Sequence, residues 1–271
     1  MSQSTLSQAP PAPTTSRDQP RVTFLQERNT LRVISILVLL AAWQIGGMTT
    51  EPYILPTPVE VMKSWWQLTL SGELITAAGA SVFVFVLGFS IALALGIPLG
   101  IATGVSKPLG DFFDTYVTIF WSTPTIALLP LLVVWFGLTL ETKLVLVFLS
   151  AFWPLVINTQ VGIQNVDKSY VEVATAFGAT RWEILRHVLF PASVPYLVAG
   201  MRIAVGRAII GVIVAELFTS VTGLGARMTY YSNFFQVANY FAALLMFVLF
   251  SVATTEAVRL IEVRFSRWRS E

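Results

Sequence analysis

The chain of 271 residues has a mean hydropathy of +0.72, and 55% of its residues are hydrophobic whereas 12% are charged. Soluble domains carry about 25% charged residues, so this composition indicates an integral membrane protein with most residues in or near the bilayer. The chain contains no cysteine and one histidine, which excludes disulfides, cysteine nucleophiles and histidine metal clusters. The net charge of +2 and the pI near 9 bear on orientation in the membrane rather than on nucleic acid, which is not expected as a partner.

The N-terminal segment, residues 1–28, is rich in Ser, Thr, Gln and Pro and has no apolar run, a composition typical of a disordered tail. A signal peptide is not expected, because a full-length span follows the basic residues and no small-residue cleavage site is evident. That first span covers about residues 31–48. Residues 29–271 are predicted to form one all-α domain, a polytopic membrane bundle of six transmembrane helices in the lipid bilayer.

Between the first two spans, the segment that begins with Pro56 and Pro58 predicts a short amphipathic helix. The two prolines bar a regular helix at the start, because proline lacks an N–H group and restricts the residue before it. Val61, Trp65 and Leu68 then share one helical face, and tryptophan suits the membrane interface.

The second span, about residues 75–105, carries Gly96, Gly100 and Gly104 at four-residue spacing. This spacing places the glycines on one stripe of the helix, where a second helix can approach closely. A phosphate-binding loop needs Gly-Lys followed by Ser or Thr, and the chain contains no Gly-Lys pair. The stripe is therefore predicted to serve helix packing, and the chain is not expected to bind ATP through such a loop.

The third span, about residues 112–137, is interrupted by Pro124 and Pro130. A proline at mid-membrane frees backbone carbonyls, and nearby hydroxyls can either satisfy them or face a wet pathway. A structural kink and the lining of a pathway both stay open, and one residue can serve both. The fourth span, about residues 144–161, ends in polar residues. We assign four polar residues of these spans to a candidate translocation pathway, namely Ser122, Thr123, Thr125 and Asn158.

The fifth span, about residues 192–218, holds Arg202, Arg207 and Glu216. Charge inside a membrane is costly and usually faces a partner or a water-filled cavity, so all three join the candidate pathway. At about 100° and 1.5 Å per residue, Arg202 and Glu216 share a face but lie about 21 Å apart in height. Arg207 lies near mid-membrane, where it is expected either to meet a passing anion or to pair with a neighbouring helix.

The segment 221–236 is predicted to be a loop because it contains Gly223 and Gly225. Its aromatic residues suit the membrane interface, and they are Tyr230, Tyr231, Phe234 and Phe235. The sixth span covers about residues 237–261, and arginines close the chain.

The longest polar interval between spans is the segment 165–191, which is predicted to form two short helices joined at a glycine. Ser169 with Glu172, and Thr180 with Glu183, both fit the capping box, in which a hydroxyl and a carboxylate three residues apart satisfy free N–H groups. We call this segment the elbow, and its compact, partly charged character suits contact with something outside the bilayer.

The elbow resembles the signature loop of ATP-binding-cassette (ABC) importer permeases, which reads Glu-Ala-Ala, three residues, Gly, nine residues, Ile-x-Leu-Pro. Glu172, Gly178 and Pro191 keep this spacing, and a glycine at the junction suits a positive φ. The chain departs from the pattern, each time to another apolar residue, at Val173, Val188 and Phe190. The Leu-Pro-Thr-Pro segment before the second span and the Gly-Leu-Gly after the fifth resemble the nitrate, sulfonate, taurine and bicarbonate branch of that family.

The resemblance implies a permease subunit without catalytic residues, metal or cofactor, in a bacterial inner membrane. It implies a second permease copy, two cytoplasmic ATP-binding subunits that receive the elbow, and an extracytoplasmic solute-binding protein that delivers a small anion. The elbow residues implied to contact or shape the ATPase junction are Glu172, Ala174, Phe177, Gly178, Arg181, Leu185, Arg186 and Pro191.

Basic residues outside the spans favour one orientation. Twelve of the seventeen Lys and Arg residues lie on the side that carries both termini and the elbow, and Lys63, Lys143 and Arg227 lie opposite. The positive-inside rule then places both termini and the elbow in the cytoplasm.

Three alternatives remain open at the level of sequence. Relatives in this branch move aromatic carboxylates, vitamin precursors or pyrimidine-like compounds, so the solute could belong to those classes. A transporter driven by an ion gradient would be expected to carry several buried carboxylates, whereas Glu216 is the one clear candidate. A membrane enzyme or assembly protein is disfavoured because the sequence offers no His, Cys or carboxylate cluster.

Overall fold

A computed structural model describes the backbone of residues 24–266 and the side chains of residues 30–260. Helix α1 runs Phe24–Met48 and so includes the last five residues of the segment predicted as a tail. The helix can begin before the predicted span because no proline lies between Pro20 and the helix, and no proline or glycine occurs within the helix before Gly46. The rest of the predicted tail, and the C-terminal Arg267 and Arg269, lie outside the described residues.

The remaining helices are α2 (Pro58–Leu70), α3 (Glu73–Val105), α4 (Lys107–Ser122), α5 (Leu129–Phe136), α6 (Leu140–Gln164), α7 (Lys168–Ala176), α8 (Arg181–Ile184), α9 (Phe190–Thr219), α10 (Leu224–Asn233) and α11 (Val237–Ser266). Five helices in the described part of the chain are long and apolar enough to span a membrane, and a bent pair brings the number to six. The predicted all-α bundle of six spans is confirmed with that pair counted as one span. By its internal contacts the chain divides into two units, one up to Trp43 and one from Gln44 onward.

Helix α6 packs most extensively against α3 and α9, and glycines make both contacts possible. A Cβ atom on Gly100 of α3 would lie 2.5 Å from Cβ of Thr159, and one on Gly200 of α9 would lie 2.6 Å from Cβ of Asn158. Neither position has room for a side chain, so the backbones approach as closely as small residues allow. The predicted glycine stripe therefore does serve packing, and we call α3, α6 and α9 the three-helix core.

Helix α2 begins with a capping box. The Thr57 hydroxyl accepts the Glu60 N–H at 3.3 Å, and Glu60 Oε2 accepts the Thr57 N–H at 2.8 Å. The Thr57 N–H and the Thr57 hydroxyl both donate to the Glu60 carboxylate, which lowers its pKa. Val61 is buried, and Trp65 and Leu68 pack against the core, so the predicted apolar face of this helix is confirmed.

The third span is broken after Ser122. Thr123 is extended, at φ −79° and ψ 126°, because Pro124 disfavours helical backbone in the residue before it. A 3₁₀ turn, Thr125–Leu128, leads into α5, and the two arms of the span meet at 86°. Pro130 does not interrupt the span a second time, since it occupies the first turn of α5, where its missing N–H costs nothing.

The predicted loop 221–236 is wrong over residues 224–233, which form α10. Gly223, at φ +101°, supplies the turn before the helix. Gly225 lies inside the helix, where a Cβ atom would meet Glu216 Cβ at 2.6 Å and the Ile213 carbonyl oxygen at 3.0 Å. The second glycine therefore permits close packing of α10 on α9 rather than chain flexibility.

We predict that Gly100→Ala destabilises the protein by about 1–3 kcal/mol, because the added methyl group forces α3 away from α6. Gly79→Ala in the same helix is the matched control, because a Cβ there meets nothing within 4 Å. Thermal unfolding of the purified protein in detergent measures both. Equal melting temperatures for the two variants would contradict the packing role of Gly100.

Candidate functional site

The first helix of the elbow, α7, begins differently from the sequence prediction. Asp167 is the N-cap, and its carboxylate accepts the Ser169 N–H at 2.9 Å. Hydrogen bonds from the Ser169 backbone and side chain to the carboxylate lower the pKa of Asp167. The predicted capping box of Ser169 with Glu172 is therefore wrong, because the helix starts two residues earlier than that box requires and Asp167 provides the cap.

The first helix ends in a Schellman motif at the predicted glycine. The Gly178 N–H donates to the Thr175 carbonyl at 2.9 Å, and the Ala179 N–H donates to the Ala174 carbonyl at 3.0 Å. Gly178 has φ +80°, the left-handed region that glycine adopts without strain. The glycine at the junction thus sets the angle between the two arms of the elbow.

The second helix of the elbow, α8, starts with the predicted capping box. Glu183 Oε2 accepts the Thr180 N–H at 2.7 Å, and the Thr180 hydroxyl accepts the Glu183 N–H at 3.3 Å. Helical backbone then continues through a π segment, Leu185–Leu189, into α9. Pro191 lies in the first turn of α9, so it begins the fifth span instead of ending α8.

The elbow exposes an apolar surface. Tyr170, Val173 and Phe177 follow one another at helical spacing, and Phe177 is 88% exposed. Trp182 of α8 adds a second aromatic side chain that is 66% exposed. We call these four residues the elbow surface. The eight elbow residues singled out from the sequence are all exposed or partly exposed, and they are Glu172, Ala174, Phe177, Gly178, Arg181, Leu185, Arg186 and Pro191.

A second site lies where the third span breaks. Phe120 of α4 stacks on Trp153 of α6 with ring centroids 4.9 Å apart, which fixes the end of α4 against the three-helix core. The next residue, Trp121, faces α9, and the guanidinium carbon of Arg207 lies 4.1 Å from the centroid of its ring. Both side chains are exposed in the single chain. Sequence reasoning missed Trp121, because its contact depends on the direction of the bend.

The other predicted pathway residues differ in their surroundings. Ser122 is exposed at the break, and Thr125 is partly exposed. The Thr123 hydroxyl donates to the Ile119 carbonyl at 2.8 Å, which satisfies a carbonyl of its own helix. The Asn158 amide donates to the Pro154 carbonyl at 2.8 Å in α6, and the same residue packs against Gly200. The break therefore combines a kink with exposed hydroxyls.

Glu216 has no solvent exposure and anchors the segment between α9 and α10. Its Oε2 atom accepts the Ser81 hydroxyl at 2.8 Å and the Gly225 N–H at 3.0 Å. The Ser81 hydroxyl in turn accepts the Leu224 N–H at 2.9 Å. Arg202, fourteen residues earlier in α9, is exposed instead. The structure thus does not bring Glu216 together with the exposed arginines of α9.

Lys143, in the first turn of α6, binds the segment between α9 and α10. The side chain is 2% exposed, and its Nζ atom donates to the carbonyl oxygen of Thr222 at 2.8 Å and to the Thr222 hydroxyl at 3.0 Å. No local pattern could have revealed these partners, because Ser81 and Glu216 lie 135 positions apart and Lys143 and Thr222 lie 79 apart.

A polar cluster lies at the start of α3. The Tyr231 hydroxyl donates to Glu73 Oε1 at 2.7 Å, and Arg227 Nη1 lies 3.2 Å from the same oxygen. Burial and this contact with Glu73 raise the pKa of Tyr231. Among residues 30–260, no three His, Asp or Glu side chains lie close enough together to hold a metal ion.

Comparison with known proteins connects these features to a family. A family model described as the binding-protein-dependent transport system inner membrane component matches residues 96–267. The chain is 34% identical over 235 residues to SsuC of Bacillus subtilis (strain 168), a permease protein named for aliphatic sulfonates transport, with 86% of this chain and 85% of SsuC covered. It is 31% identical over 261 residues to the riboflavin transport system permease protein RibX of Chloroflexus aurantiacus, with 94% and 97% covered.

A solved structure shows the same fold. The methionine ABC transporter MetNI in inward-facing conformations matches with a TM-score of 0.62 and 20% identity, covering 71% of this chain and 95% of the MetNI chain. At this level of identity the likeness concerns the fold alone.

We predict that Ser81→Ala costs about 1–3 kcal/mol of stability, because the Leu224 N–H loses its acceptor and Glu216 loses a donor in a buried site. Ser232→Ala on the exposed face of α10 is the control and should leave the melting temperature unchanged. Unfolding in detergent, followed by size-exclusion chromatography, measures the effect. A Ser81→Ala protein as stable as the control would show that the network contributes nothing.

Proposed function

Because the chain belongs to the family of binding-protein-dependent transport system inner membrane components, which makes it the transmembrane subunit of an ABC importer, we propose that it carries small sulfonates into the cell. The membership confirms the resemblance drawn from Glu172, Gly178 and Pro191 of the elbow. It also means that ATP is hydrolysed by separate subunits, so this chain is a transport subunit rather than an enzyme. Transport by an ion gradient and membrane enzyme activity lose their support.

The elbow surface is the observation on which the proposed coupling mechanism rests. The family implies ATP-binding subunits and a solute-binding protein. We propose that two permease copies assemble with two ATP-binding subunits, and that each ATP-binding subunit receives the elbow of one permease copy. Burying Phe177 and Trp182 removes apolar surface from water, which favours association. Arg181 and Arg186 are exposed beside this surface, where they either contact the ATPase or remain solvated.

The proposed orientation places the elbow and both termini in the cytoplasm. A Cβ on Gly110 would lie 3.7 Å from Nε2 of Gln160, so the start of α4, which carries Lys107, lies at the same end of α6 as the elbow. Lys143 binds Thr222 at the other end, together with the segment before α10. Lys107 and the basic residues of the elbow therefore lie at one end of α6, and Lys143 lies at the other end. This separation supports the grouping of basic residues to which the positive-inside rule is applied.

We propose that the solute passes the break in the third span and the exposed stripe of α9. Exposed hydroxyls and arginines can contact a hydrated anion there, whereas buried Glu216 suits the anchoring of the segment before α10. The predicted pathway residues carried into this proposal are Ser122, Thr123, Thr125, Asn158, Arg202 and Arg207. Glu216, which the sequence also assigned to the pathway, is buried and anchors the segment before α10 instead.

Sulfonates are the first candidate class because SsuC is 34% identical over most of both chains. Among the anions in the resembled branch, an alkanesulfonate or taurine fits this relative best. A riboflavin-like vitamin is the second candidate, because RibX is 31% identical over nearly the whole of both chains.

Reconstitution tests this function. The chain, its ATP-binding subunit and its solute-binding protein are placed in proteoliposomes, and uptake of taurine, methanesulfonate and riboflavin is followed with and without ATP. We expect ATP-dependent uptake of a sulfonate. Uptake of riboflavin alone would overturn the substrate class, and uptake that persists without ATP would overturn the ABC mechanism.

The same preparation tests the elbow surface. Phe177→Asp should reduce co-purification of the ATP-binding subunit and uptake at least about tenfold, because a charge replaces the most exposed apolar contact. Phe235→Asp is the matched control, since this phenylalanine is 74% exposed at the end of α10, on the other side of the membrane in the proposed orientation. Normal co-purification with Phe177→Asp would contradict the docking role of the elbow surface.

A further inference from the structure

We propose that Arg207 and Trp121 form an anion-binding site inside the membrane, and that this site holds the sulfonate group of the solute. The proposal rests on the proposed function for the statement that sulfonates pass this point. Arg207 lies twelve residues before Thr219, the end of α9, which is a depth of about 18 Å along the helix. The arginine is therefore near the middle of the span, far from either end where its side chain would reach bulk water.

No carboxylate among residues 30–260 forms a salt bridge with Arg207. The salt bridges found among residues 30–260 join Arg227 to Glu73 and Arg259 to Glu256, and neither includes Arg207. Its described contact is the ring of Trp121, at 4.1 Å from the guanidinium carbon. A cation–π contact stabilises a guanidinium by less than an unpaired charge costs at mid-membrane. An anion in a wet pathway supplies the missing counter-charge.

Trp121 also holds the guanidinium in position. Phe120 stacks on Trp153, so the end of α4 that carries Trp121 is held against α6. The guanidinium lies over the indole ring, and its N–H groups make no hydrogen bond within the described residues. Arginine presents paired N–H donors that match two oxygens of one anion, and a sulfonate has three oxygens and a permanent negative charge.

The surroundings of Arg207 fit an anion with a short aliphatic tail. Gly206 faces open space, because a Cβ atom there would meet nothing within 4 Å. Ile203 and Ile210 are exposed on the same stripe of α9, one turn before and one turn after Arg207. Ser122 is exposed beside Trp121 and can donate its hydroxyl to a third oxygen. Charge, hydroxyl and apolar side chains thus occur together, as an alkanesulfonate requires.

Single cysteines test this site directly, because the natural chain contains none. Ser122→Cys is purified in lipid nanodiscs without partner subunits, so that the measurement does not depend on transport. The rates of reaction with an anionic reagent, sulfonatoethyl methanethiosulfonate, and with its cationic trimethylammonium counterpart are compared. Their ratio reports the electrostatic potential at the break.

We expect Arg207→Gln to lower the ratio of anionic to cationic rates about tenfold, because one positive charge within several ångströms is lost. Arg207→Lys should keep most of the ratio, because the charge remains. Methanesulfonate in solution should slow the reaction of Ser122→Cys with the neutral reagent methyl methanethiosulfonate when Arg207 is present and not in Arg207→Gln. This protection distinguishes a binding site from a positive potential alone.

Two controls keep the test decisive. Ser232→Cys on α10 should show a ratio that Arg207→Gln leaves unchanged, which excludes a general effect of net charge. Thr125→Cys, also at the break, replaces Ser122→Cys if that variant does not fold. An unchanged ratio, an absence of protection by methanesulfonate, or unreactive cysteines at both positions would overturn the proposal. Anionic selectivity with protection, in a protein whose transporter moves no sulfonate, would keep the site and reject the proposed function.

Discussion

The close contact of α6 with α3 and α9 is the constraint on which the rest of the structure depends. Lipid provides no hydrophobic driving force between helices, so spans associate through close packing and polar contacts. Gly100 of α3 and Gly200 of α9 bring their backbones against Thr159 and Asn158, which are adjacent in α6. Polar anchors hold the same helices at one end, where Glu216 of α9 binds Ser81 of α3. The three-helix core is therefore one packed unit rather than three independent spans.

Both ends of the elbow arise from this core. The chain enters the elbow from α6, which ends at Gln164, and leaves it through helical backbone that continues from Arg181 to Thr219. A force on the elbow surface thus acts on two core helices at once, and packed helices move as a rigid body. The broken third span is attached to this body through Phe120 and Trp153, so Trp121 and its contact with Arg207 of α9 move together with it. The proposed coupling surface and the proposed pathway are in this way parts of one mechanical unit.

Features that depend on short-range sequence could be predicted, and those that depend on distant partners could not. The glycine stripe of α3 and the capping box at Thr180 follow from residues a few positions apart, and both appear in the structure. The prediction of a loop around Gly225 was wrong because a sequence alone does not show whether a glycine permits a bend or the close packing of two helices. The contacts of Glu216 with Ser81, and of Trp121 with α9, require the relative placement of helices, and a single sequence carries no pattern for that.

In the proposed orientation, the elbow faces the side of the membrane on which ATP is hydrolysed, and α10 faces the other side. Single cysteines at Ala176 of α7 and Ser232 of α10, both exposed, can be labelled with a membrane-impermeant maleimide in right-side-out and in inverted vesicles. The proposed arrangement predicts that Ala176→Cys reacts only in inverted vesicles and Ser232→Cys only in right-side-out vesicles. Labelling of Ala176→Cys from the outside would contradict it, because no ATP-binding subunit could then reach the elbow.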